Sequence, residues 1–167
     1  KIIRQTVWNK VYRKHVLTGM PFEKGRLHED EFWTYRVFGR ANRIGYVDAR
    51  FYYYFQRPGS IMGNSFSLRR LDALEGKYRR WRFFEDNYPN AAEAARKNFY
   101  FSCLLHYEWS LDYLGEDDFA GARKIILNYV DEIIKEHRTF SLNGRELFWY
   151  ALSRLTFHGA AKLKNIF

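Results

Sequence analysis

The sequence predicts an α+β fold that is mainly helical, with short strands in the first part and a bundle of about four helices after it. Three observations carry this. Apolar residues recur at helical spacing from residue 69 onward, aromatic and β-branched runs occupy residues 43–47 and 51–55, and one pattern gives way to the other near residues 64–67. The chain therefore divides into residues 1–64 and residues 65–167. With 167 residues, 47% hydrophobic and 20% aromatic, it has the side chains for a substantial core. It opens Lys-Ile-Ile-Arg-Gln, which reads as the interior of a longer polypeptide.

The first strong element is a helix over residues 31–40, entered through Leu27-His28-Glu29-Asp30-Glu31. Carboxylates gathered where a loop or strand becomes a helix admit two readings. The helix macrodipole favours acids in a first turn, each by about 0.5 kcal/mol, and an Asp held at such a corner is also a candidate general base. Residues 43–47 and 51–55, separated by Asp48-Ala49-Arg50, read as two short strands. Residues 69–82 then read as an amphipathic helix, with Leu71, Leu74, Tyr78 and Trp81 on its apolar side. Its other side carries Arg69, Arg70, Lys77, Arg79, Arg80 and Arg82 against Asp72 and Glu75, a basic face that suits either solvation or an anionic partner.

The next helix follows Pro89, where Asn90 and Glu93 have capping-box spacing, and it runs along Tyr100, Cys103, Leu104, Tyr107, Leu111 and Leu114 to a stop at Gly115. Phe119, Ala122, Ile126, Tyr129, Val130 and Ile133 make another stripe, begun by the acids Glu116-Asp117-Asp118. A last helix is introduced by Asn143 and Glu146 and carries Phe148, Leu152, Leu155, Gly159 and Leu163. Short connections predict that successive helices pack as antiparallel neighbours.

Several chemistries are excluded by motif. There is no glycine-rich dinucleotide fingerprint, no phosphate loop, no Cys-x-x-Cys and no Gly-x-Ser-x-Gly elbow. His15, His28, His106, His137 and His158 lack metal-ligand spacing, so no protein-made metal site is expected, and His106 and His158 read as interior or boundary residues of helices. Lone Cys103 has no internal partner and reads as a small buried hydrophobe, as suits a reducing compartment. No apolar run approaches the ~20 residues that cross a bilayer. The formal net charge of +9 points to an anionic partner, with nucleic acid, phospholipid or a diphosphate-bearing substrate all in the class.

Three motifs carry a resemblance. Trp8-Asn9-Lys10-Val11-Tyr12-Arg13, then residues 22–32 (Phe-Glu-Lys-Gly-Arg-Leu-His-Glu-Asp-Glu-Phe), then residues 52–61 (Tyr-Tyr-Tyr-Phe-Gln-Arg-Pro-Gly-Ser-Ile) occur in an order and at intervals similar to those of bacterial family 2 glycosyltransferases of the GT-A fold. The likeness covers about residues 6–62 and is to the acceptor-side part of that domain, with the helical remainder resembling in a general way the C-terminal extensions of capsule and exopolysaccharide enzymes. It implies that residues 1–64 end a GT-A catalytic domain and that the full-length protein moves a sugar, with inversion, from a nucleotide-sugar donor to a saccharide or lipid-linked acceptor in cell-surface polysaccharide synthesis.

The resemblance implies roles at matching positions. Asp30 is the catalytic base that takes the proton of the acceptor hydroxyl as its oxygen attacks the anomeric carbon. Glu29 and His28 bind substrate beside it, Trp8 and Lys10 line the acceptor side, Arg57 offers its planar donor fork to the pyrophosphate, and Ser60 adds a hydroxyl. The duller readings stand beside these: Trp8 in the core, Lys10 solvated, Arg57 paired with Asp48, Ser60 shaping the Arg57-Pro58-Gly59-Ser60 turn. No Asp-x-Asp occurs in the sequence, so the Mg²⁺ or Mn²⁺ of the full-length enzyme is expected on ligands upstream, with none bound by these residues alone. The location implied is cytoplasmic, compatible with peripheral contact at the inner face of an anionic membrane. The alternative reading is a basic helical module for nucleic acid, anionic membrane or a protein partner; nucleic acid is the less favoured because no reading motif accompanies the charge.

Overall fold

A computed structural model describes residues 4–55, 66–136 and 141–164. Seven α-helices occur among them: α1 (Lys14–Leu17), α2 (Glu29–Arg40), α3 (Asp72–Asn87), α4 (Pro89–Tyr113), α5 (Glu116–Glu136), α6 (Gly144–Leu155) and α7 (Phe157–Lys164), with a 3₁₀ turn at Leu68–Leu71 leading into α3. The mainly helical expectation holds.

The long helix α4 is central. Phe99, Tyr100, Cys103, Leu104 and Tyr107 are all at most 1% exposed, and α4 packs against α3, α5 and α7. Tyr78 and Trp81 of α3 meet Phe99, and Phe99 and Tyr107 meet Tyr129 and Phe119 of α5. These pairings are symmetric about the tight connections at Tyr88 and at Leu114–Gly115, so α3, α4 and α5 run up, down and up. The short connections dictate this, as expected. Leu71, Leu74 and Trp81 are buried with Tyr78 packed beside them, which is the apolar stripe read from the sequence.

Helix α2 was not foreseen in its place. It lies alongside α3 and runs parallel to it: Glu31 meets Lys77 and Arg80, Tyr35 stacks edge-on against Phe83, and the Gly39 carbonyl accepts from the Tyr88 hydroxyl. Its other side is wrapped by the irregular residues before it. Trp33 donates from Nε1 to the Met20 carbonyl at 2.7 Å and is held between Phe22 and Tyr12, while Thr34 donates to the Gln5 carbonyl at 2.6 Å. Phe32, Trp33, Thr34, Tyr35 and Val37 are consequently buried.

Several expectations are corrected. The two predicted strands are absent: among the described residues there is no strand, and residues 43–47 and 51–55 are exposed and belong to no regular element. Their composition suits a pleated surface, but a strand exists only when a neighbour takes up its backbone groups, and no described segment hydrogen-bonds to this backbone. The expected capping box at Asn90 and Glu93 does not form, because Pro89 occupies the first helical position and Glu93 instead accepts from the Ser141 backbone N–H at 2.5 Å. Gly115 is not a left-handed helix stop; its carbonyl accepts from Phe119 N–H and so begins α5. The last helix is two. α6 opens with the predicted box, Asn143 and Glu146 bonding reciprocally, and then ends at Leu155, where the Thr156 hydroxyl accepts from Gly159 N–H and starts α7. This break turns Ser153, Ala160 and Ala161 inward and leaves Phe148, Leu155 and Leu163 exposed, so of the predicted apolar stripe Leu152 packs against the core and these three do not.

Candidate functional site

The acidic corner is built at the N-terminal end of α2, where residue 28 must reverse the chain. His28 has φ 57° and ψ 43°, and it is the only non-glycine residue with positive φ among those described. His is one of the residues that tolerates this left-handed conformation, and such positions concentrate at functional sites. The His28 carbonyl accepts from Glu31 N–H at 2.9 Å, which is the first bond of the helix. Three consecutive acids follow, and their environments differ.

Glu29 is exposed. Glu31 is ion-paired to Arg80 at 2.7 Å and to Lys77 at 3.3 Å, with side chains of 8–16% exposure, so it ties α2 to α3. Asp30, between them, is half-buried and takes part in none of the ion pairs among the described residues. Its burial, reinforced by the fields of Glu31 and Glu29, holds its carboxyl above the ordinary aspartate range, while His28 and the Glu31 N–H pull in the opposite direction. His28 is shifted too. Burial pushes its imidazole below the ordinary range, Arg70 of the 3₁₀ turn adds to that, and Asp30, Glu31 and Glu29 oppose it.

Lys10 comes into the field of Asp30 from the N-terminal segment. Burial lowers its ammonium pKa and Asp30 raises it. Its Nζ donates to the Arg4 carbonyl at 2.6 Å, to the Thr6 carbonyl and to Asn9 Oδ1 at 2.7 Å, and it sits 5.9 Å from the centre of the Phe38 ring. Lys10 therefore fastens the loop of residues 4–10 near α2 rather than standing solvated. Comparison with protein-family models, with curated proteins and with solved structures found no match.

His28, Glu29 and Asp30 thus stand together at the corner, and Lys10, whose contacts are with residues 4–9 and Phe38, is linked to it through the field of Asp30. Trp8 has different partners: its ring stacks on Tyr54 at 5.0 Å and 19° and lies tilted over Tyr52 at 4.6 Å and 31°. At 45% exposure it is not core. One aromatic ring of the N-terminal segment thus meets two tyrosines of the run at residues 51–55. Arg57 and Ser60 lie outside the described residues.

Sequence reading missed the groups that hold the corner from the helical part. One oxygen of Asp72 accepts from Leu27 N–H at 2.9 Å, and the other pairs with Arg26 at 3.0 Å. Arg26 also reaches Glu75 at 2.8 Å, and Arg69 donates to the Gly25 carbonyl at 2.9 Å. Arg26 and Arg79 lie 5.3 and 5.2 Å from the centre of the buried Phe32 ring. Gly76 permits this closeness, since a Cβ there would stand 2.8 Å from Glu31 Cβ and 3.2 Å from the Glu31 carbonyl carbon. A glycine inside a helical pattern was the available signal for a close approach. The pairing of Leu27 with Asp72 had none, because 45 residues separate them.

The predicted basic face is largely turned to internal use. Arg79 pairs with Glu23 and Glu75, Arg80 with Glu31 and Asn98, and Arg82 with Glu85, Glu132 and Glu136 while lying 4.2 Å over the Trp81 ring. Among the described residues no group of His, Cys, Asp and Glu has the arrangement of a metal site. Nor is any described helix long and apolar enough to cross a membrane.

Proposed function

We propose that this chain is the acceptor-side part of an inverting glycosyltransferase that moves a sugar from a nucleotide-sugar donor to a saccharide or lipid-linked acceptor, with Asp30 as general base. The observation that carries the reading is the state of Asp30: half-buried, in none of the ion pairs among the described residues, and next to an acid of the same turn that is ion-paired twice. A base must keep its lone pairs for substrate, and a carboxyl raised above its ordinary range holds a proton better once it has taken it. Inverting transfer needs one such base, because a diphosphate leaves as an anion and requires cations in place of a proton donor.

His28 and Glu29 flank the base on the same corner and are assigned to substrate hydroxyls. Lys10 is assigned to the acceptor side through the resemblance, and its three oxygen contacts hold the loop of residues 4–10 in shape. Trp8 with Tyr52 and Tyr54 offers an exposed aromatic surface of the kind that stacks on a sugar ring. Arg57 and Ser60 keep their assignment to the diphosphate through the resemblance alone. Donor and metal are assigned to residues outside this sequence, which has no Asp-x-Asp. The rival reading as a basic docking module for anionic lipid or nucleic acid draws less support, since Arg79, Arg80 and Arg82 already answer carboxylates of the same chain.

The deciding experiment uses the full-length protein with a panel of nucleotide sugars and radiolabelled product detection. Asp30→Asn is expected to lower kcat by about 10³-fold or more with donor affinity within about twofold of the parent. Unchanged turnover in that variant removes Asp30 from the chemistry and the proposal with it.

A further inference from the structure

The corner that carries Asp30 is not made by its own half of the chain. Residue 28 is held in the left-handed region and the α2 helix begins from its carbonyl, so the direction in which the first turn leaves depends on how residue 27 is fixed. Residue 27 is fixed by α3. Its backbone N–H, which belongs to no helix, is satisfied by one Asp72 oxygen, while the other oxygen holds the neighbouring Arg26. One turn further along α3, Gly76 lets the helix backbone come against Glu31, the residue after Asp30. A short carboxylate therefore pins the approach to the corner, and a missing side chain sets the depth at which the turn beyond it rests.

We propose that Asp72 is a positioning residue for Asp30, acting through the Leu27 backbone amide to fix the His28 corner, so that the helical half of the chain is part of the transferase site rather than an appendage to it. This rests on the reading of Asp30 as the base. Asp72 touches neither reacting atoms nor Asp30 itself, and its effect is on where the base stands. A displacement of about 1 Å at a reacting group is worth on the order of 10²-fold in rate.

Two substitutions separate position from charge. Asp72→Asn keeps an oxygen at the same reach for Leu27 N–H but loses the charge; Asp72→Glu keeps the charge for Arg26 but carries the oxygen one methylene further. In the full-length protein the expected result is that Asp72→Asn retains kcat within about threefold, whereas Asp72→Glu loses roughly 10–100-fold in kcat with the donor KM unchanged. The second readout is the titration of His28 by NMR in the folded chain, where burial and Arg70 lower its pKa and Glu29, Asp30 and Glu31 raise it. Asp72→Asn should leave that titration where it is, and Asp72→Glu should move it towards the ordinary imidazole value as the corner opens. If Glu preserves both kcat and the titration while Asn does not, Asp72 acts through charge and the proposal is overturned; it is overturned equally if neither variant moves either readout. If the parent protein transfers no sugar, the reading of Asp30 falls, and the His28 titration still decides whether Asp72 sets the corner.

Discussion

A carboxyl whose pKa is raised by burial opposes the fold when it ionises. The folded state of Asp30 holds its proton more tightly than the unfolded chain does, so between the ordinary aspartate value and the raised one the native state binds more protons than the unfolded state, and stability falls as pH climbs through that window. His28 works at the other end: its lowered pKa means that the unfolded chain takes up a proton first, so stability falls as pH drops below the ordinary histidine value. Asp30→Asn removes the first effect. Its melting temperature is expected to exceed that of the parent at pH 7 and to converge with it near pH 3, as thermal denaturation followed by circular dichroism would record. A parent that matches the variant at both pH values refutes the burial penalty. A stabilised but inactive variant is the usual mark of a group retained for function.

At the scale of elements, the decisive contact is between α2 and α3. Gly76→Ala gains up to about 1 kcal/mol of helix propensity but drives a methyl group into Glu31, where the neighbouring atoms include backbone. Overpacking of this kind costs typically 1–3 kcal/mol, so the net expectation is a loss of about 1 kcal/mol, measured by urea denaturation. A gain in stability would show that the two helices can part without penalty. The sequence made α3, α4 and α5 legible because Leu71, Leu74, Tyr100, Tyr107, Ile126 and Ile133 obey a local period of 3.6 residues. It made the strands of residues 43–55 falsely legible, since Tyr52, Tyr53 and Tyr54 have the composition of a sheet while pairing depends on a partner that composition does not specify. The carboxylate cluster was visible, but the difference between Glu31 and Asp30 was not, because it is created by Lys77 and Arg80 arriving from elsewhere.

Across the whole molecule, charge is used as cement. The formal net charge of +9 suggested a free basic surface, yet Arg26, Lys77, Arg79, Arg80 and Arg82 join the N-terminal segment and α2 to α3, and α3 to α5. The arrangement answers a difficulty that parallel helices create. With α2 and α3 running the same way, two helix starts lie side by side, each carrying acids: Glu29, Asp30 and Glu31 on one, Asp72 and Glu75 on the other. Like charges so placed repel, and the interleaved arginines offset the repulsion. No periodicity announces this, since it depends on pairs such as Arg79 with Glu23, 56 positions apart.

The parallel course of α2 and α3 has a topological price. After α2, 12 residues long and so about 18 Å from end to end, the polypeptide has to travel back the whole way before α3 can begin. That return passes through residues 43–55, which are solvent-exposed and carry tryptic sites at Arg43 and Arg50. Limited digestion there severs only the strap and not the packed helices. The nicked halves are expected to co-elute as one species on gel filtration and to separate only in denaturant; release of the amino-terminal piece under native conditions would mean that the loop, and not the interlocked side chains, keeps α2 in its berth.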